Sequence, residues 1–596
     1  MSGPQRRDGG TAQPSPAASS ARPAPPRARF LTILAQDPAV RVPGTDRFIR
    51  AIVPVPSDVV RSGPRSSRFH VVDYDATGNE LRPPTGLRYA PDEEIEHDPY
   101  ADTADADLVA SPAFRAQNVY AIAARTLGAF EAALGRRIPW SFSGHQLYLV
   151  PAAFREANAY YDGESNAVLF GYFDGPEGPP EGRVPGLIYT GLSHDIVAHE
   201  TTHAVLDGLR SRLGEPGLPD QLAFHEAFAD IVALLSVFSV RDLVEQALGP
   251  ADADGRIGVT GVEPAALHEN VLLGLAEQMG QATRAHSGSA LRRSVDIEPF
   301  ISWRDDLAYD EPHLRGEILV AAVMHAFVAL WARRLSALVG PDGRLDRRRA
   351  AEEGRKSAEH LLRMVIRAID YCPPLELEYD DFIEALLVSD GEVAPDDEHG
   401  YRPSIARTFA AFGIASRDRV VDLSAMGALD YGGLHVAELR DRADEMFRFL
   451  WQNAAAVGLQ DAYYATVDDL VPSVRVGPDG FVLQEVVATY RQMLNGTAAE
   501  IGALSAGRLR IPAGLDPRTA LQIHGGGTVV FDQFGRAKHQ LAKPIFDWER
   551  QSARLDFLAR NRILDRSGRV GFSTGAAQGQ RFAVMHDPQL DPEEIW

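Results

Sequence analysis

Apolar residues recur at helical spacing through the middle of the chain. The segment SPAFRAQNVYAIAARTLGAFEAALGRRIPW opens on Ser-Pro and carries a glycine near its end, which predicts one long helix over residues 112–135. The same spacing predicts helices in LSHDIVAHETTHAVLDGLRSRL and LAFHEAFADIVALLSVFSV, separated by the loop EPGLPD. It also predicts helices in GEILVAAVMHAFVALWARRLSALV and RRRAAEEGRKSAEHLLRMVIRAIDY. This half of the chain is therefore mainly α.

Short apolar runs between Pro and Gly residues favour strands on either side of these helices. FLTILA, RFIRAIVPVP and FHVVDYDATGNELRPP predict a β-rich N-terminal segment over residues 29–111. HQLYLVP and NAVLFGYF predict strands around the connector AAFREANAYYDGES. Past residue 416 the pattern predicts an isolated helix in HVAELRDRADEMFRFLWQNAAAVG, with RDRADE on its solvated face, and a hairpin turning at Gln533–Gly535.

These patterns predict an α+β chain of several parts, because 596 residues exceed what one compact core holds. Residues 1–28 are rich in Pro, Ala and Ser and are expected to be a disordered tail. Residues 416–596 are expected to form an accessory α+β region whose role the sequence does not indicate.

Composition and charge exclude some partners. A net charge of −22 repels phosphate backbones and anionic lipids, so neither nucleic acid nor a membrane surface is expected as a partner. No apolar run approaches the ~18 residues of a membrane span, and no secretory signal is recognisable, which predicts a cytoplasmic protein. The single cysteine, Cys372, excludes an internal disulfide and is expected to be a buried structural thiol.

The candidate chemistry begins at His199-Glu200-Thr201-Thr202-His203. Residues four apart share a helix face, so Asp195, His199, His203 and Asp207 form one stripe. Two imidazoles at this spacing can bind one ion at about 2.0 to 2.1 Å, with Glu200 rotated toward a metal-bound water. Taken alone, an ordinary surface helix with polar pairs explains the spelling equally well.

The next predicted helix contains His225-Glu226-Ala227-Phe228-Ala229-Asp230. Glu226 and Asp230 share a face in apolar surroundings, where carboxylates rarely stay unpaired. A metal ion bound to Glu226 and a histidine N–H bonded to Asp230 would satisfy both.

H-E-x-x-H followed by E-x-x-x-D on a second helix resembles the gluzincins, and among them the thermolysin-like metallopeptidases, over residues 112–415. The resemblance implies one catalytic Zn²⁺ bound by His199, His203 and Glu226, with Glu200 as general base. It also implies that Asp230 supports a ligand histidine, while Asp195 and Asp207 match acidic positions that flank the family motif.

Three further segments resemble parts of that family. Asn158-Ala159-Tyr160-Tyr161 resembles the edge strand that holds the substrate main chain, so Asn158 and Ala159 are expected to bind substrate. His313, in EPHLRG, resembles the second catalytic histidine, although a solvated histidine at a helix N-terminus is the alternative. Arg292 resembles an arginine near the primed-side pocket.

The chain also departs from the family pattern. His225 stands where the family usually has Asn, and the loop DGLRSRLGEPGLPD lacks the usual tyrosine, for which Arg210 or Arg212 could substitute. No acidic cluster for calcium is recognisable, so no structural calcium is expected. His194 is expected to cap the helix or face solvent, and His524-Gly-Gly-Gly527 is interpreted as a turn.

By resemblance, the expected fold has a β-containing N-terminal lobe and a helical C-terminal lobe with zinc in the cleft between them. The leading hypothesis is a zinc-dependent endopeptidase acting on peptide or protein substrates. The alternatives are a catalytically silent gluzincin-like module that binds peptides or proteins, and an enzyme of this scaffold with another substrate. The sequence does not predict the oligomeric state.

Overall fold

The computed structural model describes most of the chain. The described residues are 29–34, 38, 40–55, 60–85, 98, 100–175, 186–273, 294–418, 420–423, 429–477, 480–561 and 563–564. The predicted tail over 1–28 and the candidate substrate residue Arg292 lie outside these ranges.

The N-terminal part contains short strands followed by one long helix. Its elements are β1 (Arg29–Leu34), β2 (Arg50–Val55), β3 (Phe69–Val71), β4 (Tyr74–Asp75), β5 (Glu80–Leu81), α1 (Asp105–Ala110) and α2 (Pro112–Leu134). The predicted long helix is confirmed as α2. Its start is fixed by the Ser111 side chain, which accepts a hydrogen bond from the Phe114 amide, and Gly135 ends it with φ 68°.

A five-stranded mixed sheet packs beside α2. It contains β3 together with β6 (Leu147–Phe154), β7 (Ala159–Asp162), β8 (Ala167–Asp174) and β9 (Leu187–Tyr189). The order is β3-β6-β8-β7, with β9 pairing the far end of β8. Both strands predicted from HQLYLVP and NAVLFGYF are confirmed as β6 and β8. β7, antiparallel to β8, lies at the edge of the sheet.

The middle of the chain is helical, as predicted. Its elements are α3 (His194–Leu209), α4 (Pro219–Phe238), α5 (Arg241–Ala247), β10 (Arg256–Gly258), α6 (Pro264–His268), α7 (Pro312–Ser336), β11 (Arg344–Asp346), α8 (Arg347–Tyr371), α9 (Tyr379–Val393) and α10 (Tyr401–Ala411). One contiguous apolar core extends from β1 to Ile414 just after α10, so the N-terminal strands and these helices bury their apolar faces together.

Two of these helices correct the expectation about membrane spans. α4 and α7 are both long and apolar enough to cross a membrane, although no uninterrupted apolar run suggested it. In their most apolar windows 94% and 72% of the residues are buried inside the fold, as in the core helices of a folded domain.

The C-terminal part is built on a second sheet. Its elements are β12 (Val420–Asp422), α11 (Ala443–Gln452), β13 (Ala465–Val476), β14 (Val482–Thr497), α12 (Ala498–Leu504), β15 (Ala520–Asp532), β16 (Ala537–Lys543) and α13 (Trp548–Arg560). The sheet is antiparallel in the order β12-β16-β15-β14-β13. The predicted hairpin is confirmed, because β15 and β16 are joined through Gln533–Gly535.

Two predictions in this part are wrong. The isolated helix is broken: a 3₁₀ turn over Val436–Arg440 precedes α11, and RDRADE crosses the break. Arg442 adopts an extended conformation there, which leaves Asp444 and Glu445 in the first turn of α11, where carboxylates are favoured. The run from His524 to Gly527 lies inside β15, where its glycines let Ile545 and β14 approach closely.

Buried charges join the helical part to the C-terminal sheet. Asp370 of α8 receives two hydrogen bonds from Arg136, of 2.6 and 2.7 Å, and an ion pair from Arg475 of β13. Burial alone would raise the pKa of Asp370, but the arginines hold it well below its usual range. Cys372, two residues further along the chain, is buried as predicted, and its carbonyl accepts a hydrogen bond from Thr528 of β15 at 2.6 Å.

Candidate metal centre

Three side chains from α3 and α4 converge in the buried core, and they are named here the ligand triad: His199, His203 and Glu226. The Nε2 atoms of the two histidines lie 2.9 Å apart. Glu226 Oε2 lies 3.5 Å from His199 Nε2, and its Oε1 lies 3.6 Å from His203 Nε2. Two atoms bound to one tetrahedral zinc ion lie about 3.3 Å apart. The three distances lie near this value, so the triad is a grouping that can hold a metal ion.

The His199 ring is fixed by Asp230, which the sequence predicts beside a ligand histidine without indicating which one. Its Nδ1 lies 2.7 Å from Asp230 Oδ1, so Nδ1–H donates to the carboxylate and Nε2 faces the triad. Burial lowers the pKa of His199, but the adjacent Asp230 carboxylate outweighs it and raises that pKa to about 9. Two ring nitrogens 2.9 Å apart require a proton or a metal ion between them.

The His203 ring is fixed by His225, a residue that the sequence marked only as a departure from the family. The two Nδ1 atoms lie 2.8 Å apart, and the rings stack with their centroids 4.7 Å apart. When His203 Nε2 binds a cation, its Nδ1 carries the hydrogen and donates it, so His225 Nδ1 must accept. The only signal for this role in the sequence is the position of His225 immediately before Glu226.

Glu200 connects the triad to the edge strand. Its Oε2 accepts a hydrogen bond of 3.0 Å from the backbone amide of Tyr161 in β7, and its side chain is buried beside His199. Asn158 immediately precedes β7, where its Oδ1 accepts from the amide of Ala159 at 2.8 Å. Asn158 and Ala159 therefore lie at the edge of the sheet that adjoins the candidate metal centre.

His313 reaches the triad from a third helix. It lies in the first turn of α7, where Glu311 caps the helix and its Oε1 lies 2.8 Å from His313 Nδ1. This contact directs Nε2 toward the triad, 3.7 Å from Glu226 Oε2. Burial raises the pKa of Glu311, but its bonds with His313 outweigh that effect and hold this pKa below its usual value.

The two flanking aspartates of α3 contact neighbouring polar groups. Asp207 Oδ2 accepts hydrogen bonds from Ser141 Oγ at 2.7 Å and Tyr161 Oη at 3.1 Å. Asp195 accepts from Ser193 Oγ at the start of the helix. These contacts hold the two ends of α3 in place.

Three other predicted candidates lie away from the triad. Arg210 donates to the Ile369 carbonyl at 3.2 Å, and Arg212 pairs with Glu215 at 2.9 Å, so within the described chain neither guanidinium contacts the triad. His194 was expected to cap the helix or face solvent, and both expectations are wrong. Its buried Nε2 lies 3.0 Å from Ser236 Oγ, and burial lowers its pKa to about 3.

Comparison with known sequences assigns no family to this chain. The chain matches no protein-family model and none of the curated proteins.

Proposed function

We propose that this chain is a zinc-dependent peptide hydrolase of the thermolysin-like kind. The observation that carries the proposal is the convergence of His199, His203 and Glu226 within 3.6 Å, with Glu200 beside them. These three side chains would hold the ion. Zinc bound in this way polarises a carbonyl and lowers the pKa of a bound water toward neutrality.

Glu200 is proposed as the general base. Its carboxylate is held by the Tyr161 amide, so it is oriented before substrate arrives. From this position it would take a proton from the attacking water and later deliver it to the leaving amine. A general base must lie beside the metal ligands without occupying a ligand position. Glu200 meets this requirement because it follows His199 directly and is therefore rotated away from the face of α3 that carries both histidines.

His313 is proposed to stabilise the oxyanion. Glu311 Oε1 lies 2.8 Å from His313 Nδ1 and holds the ring with Nε2 toward the triad, where a proton on Nε2 would donate to the reacting carbonyl. Removal of one such donor typically costs about 3 kcal/mol of transition-state stabilisation.

The edge strand β7 is proposed to align the peptide. An edge strand can pair with an extended substrate, and the Glu200 contact brings this edge next to the triad. We infer a two-lobe arrangement, with the β3 to β9 sheet on one side and α4 and α7 on the other. Supporting this, Glu200 contacts β7, while Glu226 and His313 come from α4 and α7.

Metal analysis and peptide cleavage together test the proposal. Purified protein should contain one zinc per chain and cleave members of a quenched peptide library. Glu200→Gln should retain the zinc and lose cleavage, whereas the exposed control Glu263→Gln should match wild type.

A binding module without catalysis is the second candidate. It is favoured by the loop between α3 and α4, which has no tyrosine and whose Arg210 and Arg212 bind elsewhere. Stoichiometric zinc without Glu200-dependent cleavage would overturn the hydrolase and favour this module. Absence of zinc would overturn both.

A further inference from the structure

A cavity of about 560 Å³ lies away from the metal centre, between α8, the end of α9, the start of α10 and the end of β13. It shares no residue with the ligand triad, and it is named here the arginine cavity. Its lining includes Arg363, Arg367 and His360 of α8 and Tyr401 of α10. Its size is in the range of small-molecule sites.

Arg367 is the unusual member of this lining. The residue is only 7% exposed, yet within the described chain its guanidinium makes no hydrogen bond or ion pair. A buried charge without a counterion is strongly unfavourable. Other buried arginines nearby are paired, as Arg475 is with Asp370. The cost at Arg367 therefore indicates a partner that binds in the cavity.

The surroundings of Arg367 reinforce its positive potential. Burial lowers the pKa of Arg367 to about 10, and repulsion from Arg475 and Arg363 adds to this shift against the opposing attraction of Asp390. Arg363 lies one helical turn before Arg367, on the same face of α8, and makes no ion pair with a described residue. Two guanidinium groups at this spacing can bind a single anion.

Two further lining groups, Tyr401 of α10 and His360 of α8, can complete such a site. Tyr401 is 2% exposed, and its hydroxyl has no hydrogen-bond partner within the described chain. The His360 ring stacks on Tyr401, with 4.3 Å between the centroids. The buried carboxylate of Asp390 attracts Arg367 through space, but its direct contacts are with Arg402 at 2.9 Å and His360 at 3.4 Å.

We propose that the arginine cavity binds a small ligand through an oxyanion group, either a carboxylate or a phosphate, held by Arg363, Arg367 and the Tyr401 hydroxyl. Planar guanidinium groups match the two-oxygen geometry of both anions. The lining also carries the carboxylates of Glu359, Asp396, Asp397 and Glu398, which disfavour long polyanions, so the ligand is a small molecule.

The test uses the full chain in a Tris chloride buffer free of oxyanions. Inorganic phosphate and succinate are titrated separately by calorimetry and thermal unfolding, with sodium chloride at equal ionic strength as reference. We expect at least one of them to bind and raise Tm above the chloride reference. The two arms distinguish a phosphate from a carboxylate ligand. The result does not depend on zinc, so it stands or falls separately from the hydrolase proposal.

Variants of α8 separate binding from a structural role. Arg367→Met should weaken anion binding by about 10- to 100-fold. Since it removes a buried unpaired charge, it should unfold no earlier than wild type in oxyanion-free buffer. Arg349→Met, at an exposed position of the same helix, should bind as wild type does.

Three outcomes would overturn the site. The first is that neither anion binds or raises Tm beyond the chloride reference. The second is that Arg367→Met binds anions as tightly as wild type. The third is that Arg367→Met is less stable than wild type while its anion binding is unchanged. If Arg367→Met does not fold, Arg363→Gln at its exposed position carries the same expectation of weakened binding.

Discussion

Zinc affinity should depend on His225, a side chain that does not itself belong to the ligand triad. His225 Nδ1 lies 2.8 Å from His203 Nδ1, and both rings are buried. Replacing His225 by Phe keeps a ring that can stack on His203 but removes the acceptor. Replacing it by Asn keeps an acceptor oxygen on a shorter side chain.

The magnitude follows from what is lost at His203. Its Nδ1–H would be buried without a partner, which costs about 1 to 3 kcal/mol. Loss of such a supporting partner typically weakens metal binding about 10- to 100-fold, which corresponds to about 1.4 to 2.7 kcal/mol. The two ranges agree, so His225→Phe should bind zinc about 10- to 100-fold more weakly. His225→Asn should recover most of that loss.

Competition with a chromophoric zinc chelator measures this directly, with circular dichroism of the metal-free proteins to verify that each variant folds. If His225→Phe is folded and binds zinc as tightly as wild type, then His225 does not orient His203. If His225→Asn is as weak as His225→Phe, the ring itself matters and the acceptor argument is wrong.

Three further predictions concern pH and stability. Asp230 raises the pKa of His199 to about 9, so below that pH zinc must displace a proton from the ring. The zinc affinity should therefore rise with pH up to about 9, and calorimetry in two buffers should detect the released proton. Asp370→Asn removes the carboxylate partner of Arg136 and one of the two carboxylate partners of Arg475, so the free energy of unfolding in urea should fall by about 3 to 5 kcal/mol. Burial raises the pKa of Glu392, but His539 and Lys538 outweigh it and lower this pKa to about 2. The stability that Glu392 contributes is therefore present above about pH 4.5 and lost as pH falls toward 2, and urea unfolding of Glu392→Gln and wild type should converge over that window.

Controls for these predictions come from the same chain. The exposed Asp254→Asn should leave the free energy of unfolding within about 0.5 kcal/mol of wild type. A drop as large as that of Asp370→Asn would contradict the buried-pair explanation. A zinc affinity that does not change between pH 6 and 9 would contradict the proton displacement at His199.

The local sequence pattern was sufficient to predict elements whose limits are fixed by residues close to them in the chain. α2 begins at the Ser-Pro step and ends at Gly135, as the sequence indicates, because capping and left-handed glycine geometry depend on neighbouring residues only. The β15–β16 hairpin follows from its turn residues in the same way. The break before α11 and the strand conformation of the His524 glycines were missed, because packing against other segments overrides the local preference there.

For the metal centre, the sequence by itself determined that His199 and His203 share a face of one helix, since four-residue spacing fixes this whatever surrounds the helix. Only the packing of α3 against α4 decided that Glu226 lies 3.5 Å from His199 and that His225 contacts His203. The burial of Arg367 is likewise a property of packing, because the cavity wall combines three successive helices, α8 to α10, with the end of β13 from a later part of the chain. Helical periodicity acts over a few residues, whereas contacts between elements depend on how their apolar faces fit together.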